Sequence, residues 1–465
     1  MERPIAWKKY SAAQLAELEG FASDYAAFIS RNKTERECVA EAIELAKAAG
    51  YRDIEDCIAE GAQLVAGDGI YASNRGKSLI LVKIGREDLT RGINILGAHI
   101  DSPRLDVKQN PAEEKNDLVY LDTHYYGGIK KYQWVTIPLA IHGVVAKKDG
   151  TVVPVVVGED PADPVFVVTD LLIHLAAEQL EKSGSKVIEG EMLDLLVGNK
   201  PLCIEGNDGE KNPVKSQLLA ILKESYGIDE EDFLSAELEV VPAGPARDLG
   251  FDRSMILGYG HDDRSCSYPS LKAQLALDEA PVRTALTILV DKEEIGSVGA
   301  TGMQSHFFEN VFAELMALTG HGEGTLAMRR CLANSDMLSS DVSAGYDPSF
   351  ASAFEPKNAA YLGRGLSFNK FTGRGGKGGS NDADAEYVAR IRNVMDAHDV
   401  AWQTSEIGKV DQGGGGTIAY ILANYGIRVI DCGVPVLSMH APWEAISKAD
   451  LYEAYRGYQA FLTLE

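Results

Sequence analysis

Two adjacent glutamates, Glu293 and Glu294, directly follow the apolar run Ala285-Leu-Thr-Ile-Leu-Val290. The run predicts a buried strand that carries both carboxylates to a sheet edge. Neighbouring side chains near a strand end point in different directions, so one carboxylate can hold a metal while the other faces a substrate as a base. Gly296 then permits a sharp turn. The same design recurs where Ile93-Asn-Ile-Leu96 runs into Gly97-Ala-His99-Ile-Asp101-Ser-Pro103. Asp262 with Asp263, Asp341 and His440 also stand at predicted strand ends. Taken singly, each reads more readily as a structural or solvated loop residue. Taken together, carboxylates mixed with imidazoles suit zinc, cobalt or manganese. Two ions with three protein ligands each need about six bonds, which five residues supply when one carboxylate bridges. Three carboxylates and one hydroxide would then nearly neutralise two divalent cations.

Other chemistries find less support. Gly373-Arg-Gly-Gly-Lys377-Gly-Gly-Ser380 has Phe371 and Gly378 where a phosphate loop needs Gly and Ser or Thr, so it reads as a flexible loop bordering a site. Gly413–Gly416 reads as a close backbone approach or a mobile loop. No G-x-S-x-G or H-E-x-x-H segment occurs. The six cysteines, Cys38, Cys57, Cys203, Cys266, Cys331 and Cys432, are scattered singly, which predicts reduced structural thiols. A net charge of −24 argues against a nucleic-acid partner, which would demand a basic surface. With 45% hydrophobic and 25% charged residues and no long apolar stretch or signal-peptide pattern, the composition predicts a cytoplasmic protein with no membrane partner.

The 465 residues exceed one ordinary domain. Ser11 is placed to cap a helix through Ile29, and Thr34 with Glu37 forms a capping box for the next, which Gly50 ends. Ser78–Ile84 and Ile93–Leu96 read as strands. Residues 104–249 change texture to short β-like runs, with a hairpin at Asp149-Gly150, one helix over Leu171–Leu180 and a polar loop over 205–215. Beyond Met255 α/β alternation resumes, with strands near 284–290, 328–334 and 429–432 and helices near 310–318, 382–397 and 449–463. The pattern is a discontinuous α/β domain, residues 1–103 and 250–465, interrupted by a β-rich insertion, residues 104–249.

Five segments resemble, in order, those of the aspartyl aminopeptidase family, which includes the vacuolar aminopeptidase I of yeast. They are Gly97-Ala-His-Ile-Asp-Ser-Pro103, Gly260-His-Asp-Asp-Arg-Ser-Cys266, Asp291-Lys-Glu-Glu-Ile-Gly-Ser297, Ser339-Ser-Asp-Val-Ser343 and Ser438-Met-His-Ala-Pro442. The resemblance covers nearly the whole chain. It implies a zinc-peptidase-like three-layer α/β/α catalytic domain carrying an inserted dimerisation or lid domain. It assigns His99, Asp262 and Asp341 to one metal and Asp262, Glu294 and His440 to the other, both most readily zinc. Glu293 is then the general base, and Asp101 the carboxylate that orients the His99 imidazole. The implied reaction is aminopeptidase hydrolysis of peptides with a free N-terminus. Two metals lower the pKa of a bridging water, Glu293 takes its proton, and the hydroxide attacks the first peptide carbonyl.

Eukaryotic members usually carry Asn-Leu after the bridging aspartate. This chain has Asp263-Arg264, the form of a bacterial branch, so a preference for N-terminal Asp or Glu does not carry over. Lys370, Arg374 and Lys377 are candidates to read an acidic first residue, in a loop resembling the family's substrate-binding region. Family members also build tetrahedral dodecamers from dimers, with a histidine crossing to a neighbouring site, a part His174 or His124 would play. Two competing readings remain. One is a related dinuclear carboxypeptidase or amide deacylase, and the other a non-catalytic assembly protein that keeps the shell of the fold.

Overall fold

The computed structural model describes residues 3–202, 211–322 and 324–465. Cys203 and positions 205–210 of the predicted polar loop lie outside the described residues. The chain divides into two compact units, one of Met1–Asp101, Ala246–Met439 and Glu444–Glu465, the other of Ser102–Pro245 and His440–Trp443.

The first unit is built on a nine-stranded mixed sheet. Its strands are β1 (Arg52–Asp53), β2 (Gly69–Asn74), β3 (Ser78–Lys83), β4 (Asn94–His99), β5 (Ala285–Val290), β6 (Asp336–Ser340), β7 (Leu366–Asn369), β8 (Trp402–Thr404) and β9 (Arg428–Gly433). They lie in the order β1-β2-β3-β5-β4-β6-β9-β7-β8, with β5, β4, β6 and β9 mutually parallel. Strands covered on both faces read as unbroken apolar runs, and every residue of β5 is buried. Side chains still alternate between faces. Leu79, Leu81, Leu96, Ala98 and Leu338 enter one core, whereas Ile80, Val82, Ile95, Ile288 and Met337 enter the other.

The first core is closed by α1 (Ala12–Arg31), α2 (Glu35–Ala48), α3 (His261–Leu275), α6 (Ala385–Ala397) and α7 (Lys448–Leu462). The second is closed by α4 (Phe307–Leu318) and α5 (Thr325–Ala333), which completes three layers, α/β/α. Ser11 with Gln14 and Thr34 with Glu37 both form capping boxes. Among the described residues, no helix is long and apolar enough to cross a membrane. Cys38, Cys57, Cys266, Cys331 and Cys432 are buried free thiols.

The strand predicted at 328–334 is instead helix α5. Its apolar residues Met328, Cys331 and Leu332 recur at helical spacing and meet the second core. The strand at this place, β6, begins at Asp336 and contains Ser339 and Ser340, so it lacks an apolar signature although every residue is buried.

Asp336 explains how such a strand is held. Its carboxylate accepts from Arg283 at 2.7 Å, Arg390 at 2.6 Å and Arg428 at 2.7 Å, tying the approach to β5, helix α6 and strand β9 to one point. Replacing Asp336 with Ala leaves the buried Arg283 guanidinium without its counter-charge. The expected loss is about 3 kcal/mol of stability, read as a lowered thermal-unfolding midpoint; an unchanged midpoint would show that the hub is dispensable.

The second unit holds a seven-stranded antiparallel sheet in the order Val152–Val157, Leu139–Ala146, Ala236–Pro242, Arg104–Lys115, Leu118–Tyr126, Leu195–Gly198, Val167–Val168. The Asp149-Gly150 hairpin joins the first two, with Gly150 at φ +89°. Leu171–Leu180 is not one helix but a 3₁₀ turn, Ile173–Leu175, followed by the single turn Ala177–Leu180. Leu171, Leu172, Ile173 and Leu175 are 46–68% exposed, so packing from its own unit does not stabilise a helix there. The principal helix of this unit is Pro213–Tyr226, opened by a proline in its first turn and ended by left-handed Gly227. It overlaps the end of the predicted 205–215 loop, where polar composition hides the helical period.

Candidate metal centre

The central parallel strands release their polar residues along one edge of the sheet, the usual place for ligands in open α/β folds. His99 closes β4 opposite Val290, the last residue of β5. The chain then reaches the 3₁₀ turn Glu293–Ile295, closed by left-handed Gly296. Asp341 follows directly on β6. Asp262 and Asp263 adopt non-helical backbone angles at the start of α3.

His99 Nε2 lies 3.1 Å from Asp262 Oδ1 and 4.0 Å from Asp341 Oδ1. One donor atom from each of these three side chains falls within 4.8 Å of the others. Asp262 and Glu294 offer carboxylate oxygens within the same distance of each other. His99 and Asp262 are buried, whereas Asp341, Glu293 and Glu294 keep partial exposure toward the edge.

The other nitrogen of His99, Nδ1, lies 3.1 Å from the Asp101 carbonyl oxygen and 3.4 Å from its Oδ1. A proton on Nδ1 therefore leaves the Nε2 lone pair directed toward Asp262. Asp101 does more than orient the ring. Its Oδ1 accepts the Glu293 N–H at 3.1 Å and its Oδ2 the Glu294 N–H at 3.2 Å. One buried carboxylate thus fixes both the imidazole and the turn bearing the glutamate pair. Asp101→Asn turns one acceptor into a donor facing an N–H. It should lower metal affinity or kcat by about 10–100-fold, measured by metal analysis beside steady-state kinetics; full retention of both would remove this role.

Asp263 is fully buried, and its Oδ2 accepts the His99 backbone N–H at 3.3 Å, so it shapes β4. Arg264 is likewise turned inward, donating to the carbonyls of Lys33 at 2.8 Å and Ile100 at 3.3 Å. Behind Asp262, Tyr25 O–H lies 2.7 Å from His261 Nδ1, and His261 Nε2 lies 3.2 Å from the Ile256 carbonyl. Burial pushes His261 down to about 3. A neutral ring donating from Nε2 and accepting from Tyr25 satisfies both contacts. Nothing local in the sequence marks this pair, whose members are 236 positions apart.

Burial pushes the Asp341 carboxyl well above its ordinary range, and Glu293 adds to the rise. Burial opposes charging of His99, but hydrogen bonds to Asp101 and Asp262 hold it well above the usual histidine value. Such a cluster calls for a cation, and a divalent ion among these atoms would meet that need without a proton on Nε2. An imidazole nitrogen with carboxylate oxygens is a zinc-type donor set, and the residues fit the ion.

His440 has φ +64°, and its Nδ1 lies 2.8 Å from the Gly128 carbonyl oxygen, a partner in its own unit. Donation from Nδ1 leaves Nε2 as the basic ring nitrogen. Lys370 and Lys377 are exposed and converge on Asp382, at 3.8 and 2.9 Å. Lys377 also lies 3.9 Å from the Phe371 ring centre. Arg374 lies in the same loop, bridged to Gly378. His174 is exposed on the 3₁₀ turn of the second unit, and His124 is exposed on the strand Leu118–Tyr126.

Residues 28–462 match the family described as aminopeptidase I zinc metalloprotease (M18). A probable M18 family aminopeptidase 1 of Clostridium acetobutylicum is 61% identical over 458 residues, 98% of this chain and 97% of that protein. The crystal structure of aminopeptidase I from the same organism has a TM-score of 0.92 and covers 99% of each chain at 58% identity. The M18 aminopeptidase structure from Thermotoga maritima has a TM-score of 0.93 at 43% identity, again over 99% of each chain. The S. cerevisiae mApe1 dodecamer shares the fold at 19% identity, with a TM-score of 0.74 over 95% of each chain. On these matches over nearly its whole length, the chain belongs to the M18 family of aminopeptidase I zinc metalloproteases.

Proposed function

We propose that this chain removes the first residue of peptides with a free N-terminus, using two divalent ions, most readily zinc. His99, Asp262 and Asp341 would hold one ion and Asp262, Glu294 and His440 the other. The observation that carries this reading is the set of three donor atoms, from His99, Asp262 and Asp341, within 4.8 Å of one another at the edge where Glu293 emerges. When bound, such ions supply Lewis acidity toward the peptide carbonyl and make a water molecule more acidic. Glu293 accepts the proton from that water and returns it to the leaving amine. Asp101 keeps Glu293 in place through the backbone, so its carboxylate stays available to move the proton.

Arg264 is only 1% exposed, so the bacterial-branch pair Asp263-Arg264 serves structure and does not offer substrate a charge. Lys370 and Lys377 remain the proposed readers of an acidic first residue, with Asp382 as their competitor. We assign the enzyme to the cytoplasm, in keeping with the buried free thiols among the described residues. The exposed apolar segment Leu171–Leu175 supports dimers through the second unit, which would build a dodecamer and bring His174 or His124 to a neighbour. A fully active monomer in light scattering would defeat that assembly.

The test is a panel of dipeptides differing only in the first residue, run beside N-acetylated counterparts on metal-free enzyme reloaded with zinc, cobalt or manganese. Cleavage should require the free amine. Hydrolysis of the blocked substrates would instead favour a carboxypeptidase or deacylase.

A further inference from the structure

Strand β8, at the edge of the nine-stranded sheet, borders a cavity of about 720 Å³ beside α6 and the loop 356–364. None of the candidate metal ligands lines it. Four cationic side chains do, Arg3, Lys357, Arg364 and Arg392, and among the described residues no carboxylate joins them. In a chain of net charge −24, this is a local reversal of sign. The nearby acids have other engagements. Glu355 accepts from the Lys357 N–H at 3.2 Å and Asn358 Nδ2 at 2.7 Å, and Asp396 accepts from Trp402 Nε1 at 2.8 Å. Glu406 borders an adjoining cavity of about 280 Å³.

The cavity is built on a braced frame. Buried Gln403 donates from Nε2 to the carbonyls of Tyr361 at 2.8 Å and Gly365 at 3.1 Å, while its Oε1 accepts the Tyr361 N–H at 2.9 Å. The Glu406 N–H adds a bond to the Asn358 carbonyl at 2.7 Å. Aromatic rings position two of the guanidiniums, with Arg3 3.6 Å from the Trp402 ring centre and Arg364 4.6 Å from that of Tyr361. The Arg3 guanidinium, resting on its ring, keeps N–H edges for an anion. Lys357 and Arg392 are exposed and form no ion pair among the described residues. Four like charges around one space repel each other, and an anion placed among them relieves that repulsion.

We infer that this cavity binds a compact polyvalent anion, a small molecule carrying two or more carboxylates or at least one tetrahedral oxyanion group. The test uses calorimetric titration of the metal-loaded full chain with sulfate and with tricarballylate, both weak metal ligands. At least one should bind saturably at one site per chain, and the preferred probe distinguishes the oxyanion from the carboxylate source. Arg392→Glu and Lys357→Glu should each weaken binding at least about tenfold, the effect of losing one charged contact, without changing dipeptide hydrolysis. Lys148→Glu, on the second unit, should leave binding intact. Absence of saturable binding for both probes would overturn the inference, as would binding that survives both cavity variants. A change of oligomeric state in Arg392→Glu, with no anion bound by the unmodified chain, would also overturn it and assign the cavity to a contact between copies.

Discussion

Glu293→Gln is expected to retain both metal ions and to lose about 10²–10⁴-fold in kcat, the usual contribution of a positioned general base. Glutamine keeps the shape of the side chain but cannot take a proton. Its backbone N–H still reaches Asp101 Oδ1, so the turn should hold its place. Glu293 also supplies none of the donor atoms grouped from His99, Asp262 and Asp341, which is why metal content should not follow activity. Metal analysis after dialysis, together with single-turnover and steady-state rates, separates these outcomes. Near-normal turnover in the variant would remove Glu293 from the chemistry; loss of an ion would make it a ligand instead.

The sequence was most legible where a signal is local. Ser11 with Gln14 and Thr34 with Glu37 mark helix starts because each side chain bonds a backbone group three residues away. The run before Glu293 marks a strand because all six residues of β5 are buried and five of them are apolar. Strand β6 was illegible for the opposite reason. Its first residue is a buried aspartate satisfied by three arginines from distant segments, a long-range solution that no apolar period records. Leu171–Leu180 shows the reverse error, since an apolar run suggested a packed helix where the side chains stay exposed. At the site, residue types and order suggested candidates, but their division into roles came from family resemblance. The double hold of Asp101 on residues 293 and 294 spans 192 and 193 positions and exists only in the folded chain.

Asp262 and Glu294 provide the second large contrast, because the proposed bridge and a proposed ligand of one ion should fail differently. Asp262 Oδ1 approaches His99 Nε2 at 3.1 Å, and Asp262 also offers an oxygen within 4.8 Å of one from Glu294. Its backbone N–H is held separately by Glu444 Oε2 at 3.1 Å, so removing the side chain spares that anchor of the turn. Asp262→Ala should therefore fold yet lose both ions. Withdrawing several kcal/mol of electrostatic stabilisation, at 1.36 kcal/mol per tenfold, lowers kcat/KM by about 10³-fold or more. Glu294→Ala should retain one tightly held ion, and activity should return as added zinc refills the weakened position. Metal stoichiometry read beside zinc-dependent thermal stabilisation distinguishes the cases, since an ion bound only by the folded state raises the unfolding midpoint with concentration. Two tightly bound ions in Asp262→Ala would exclude the bridge, and loss of both in Glu294→Ala would mean that the two positions are not held independently.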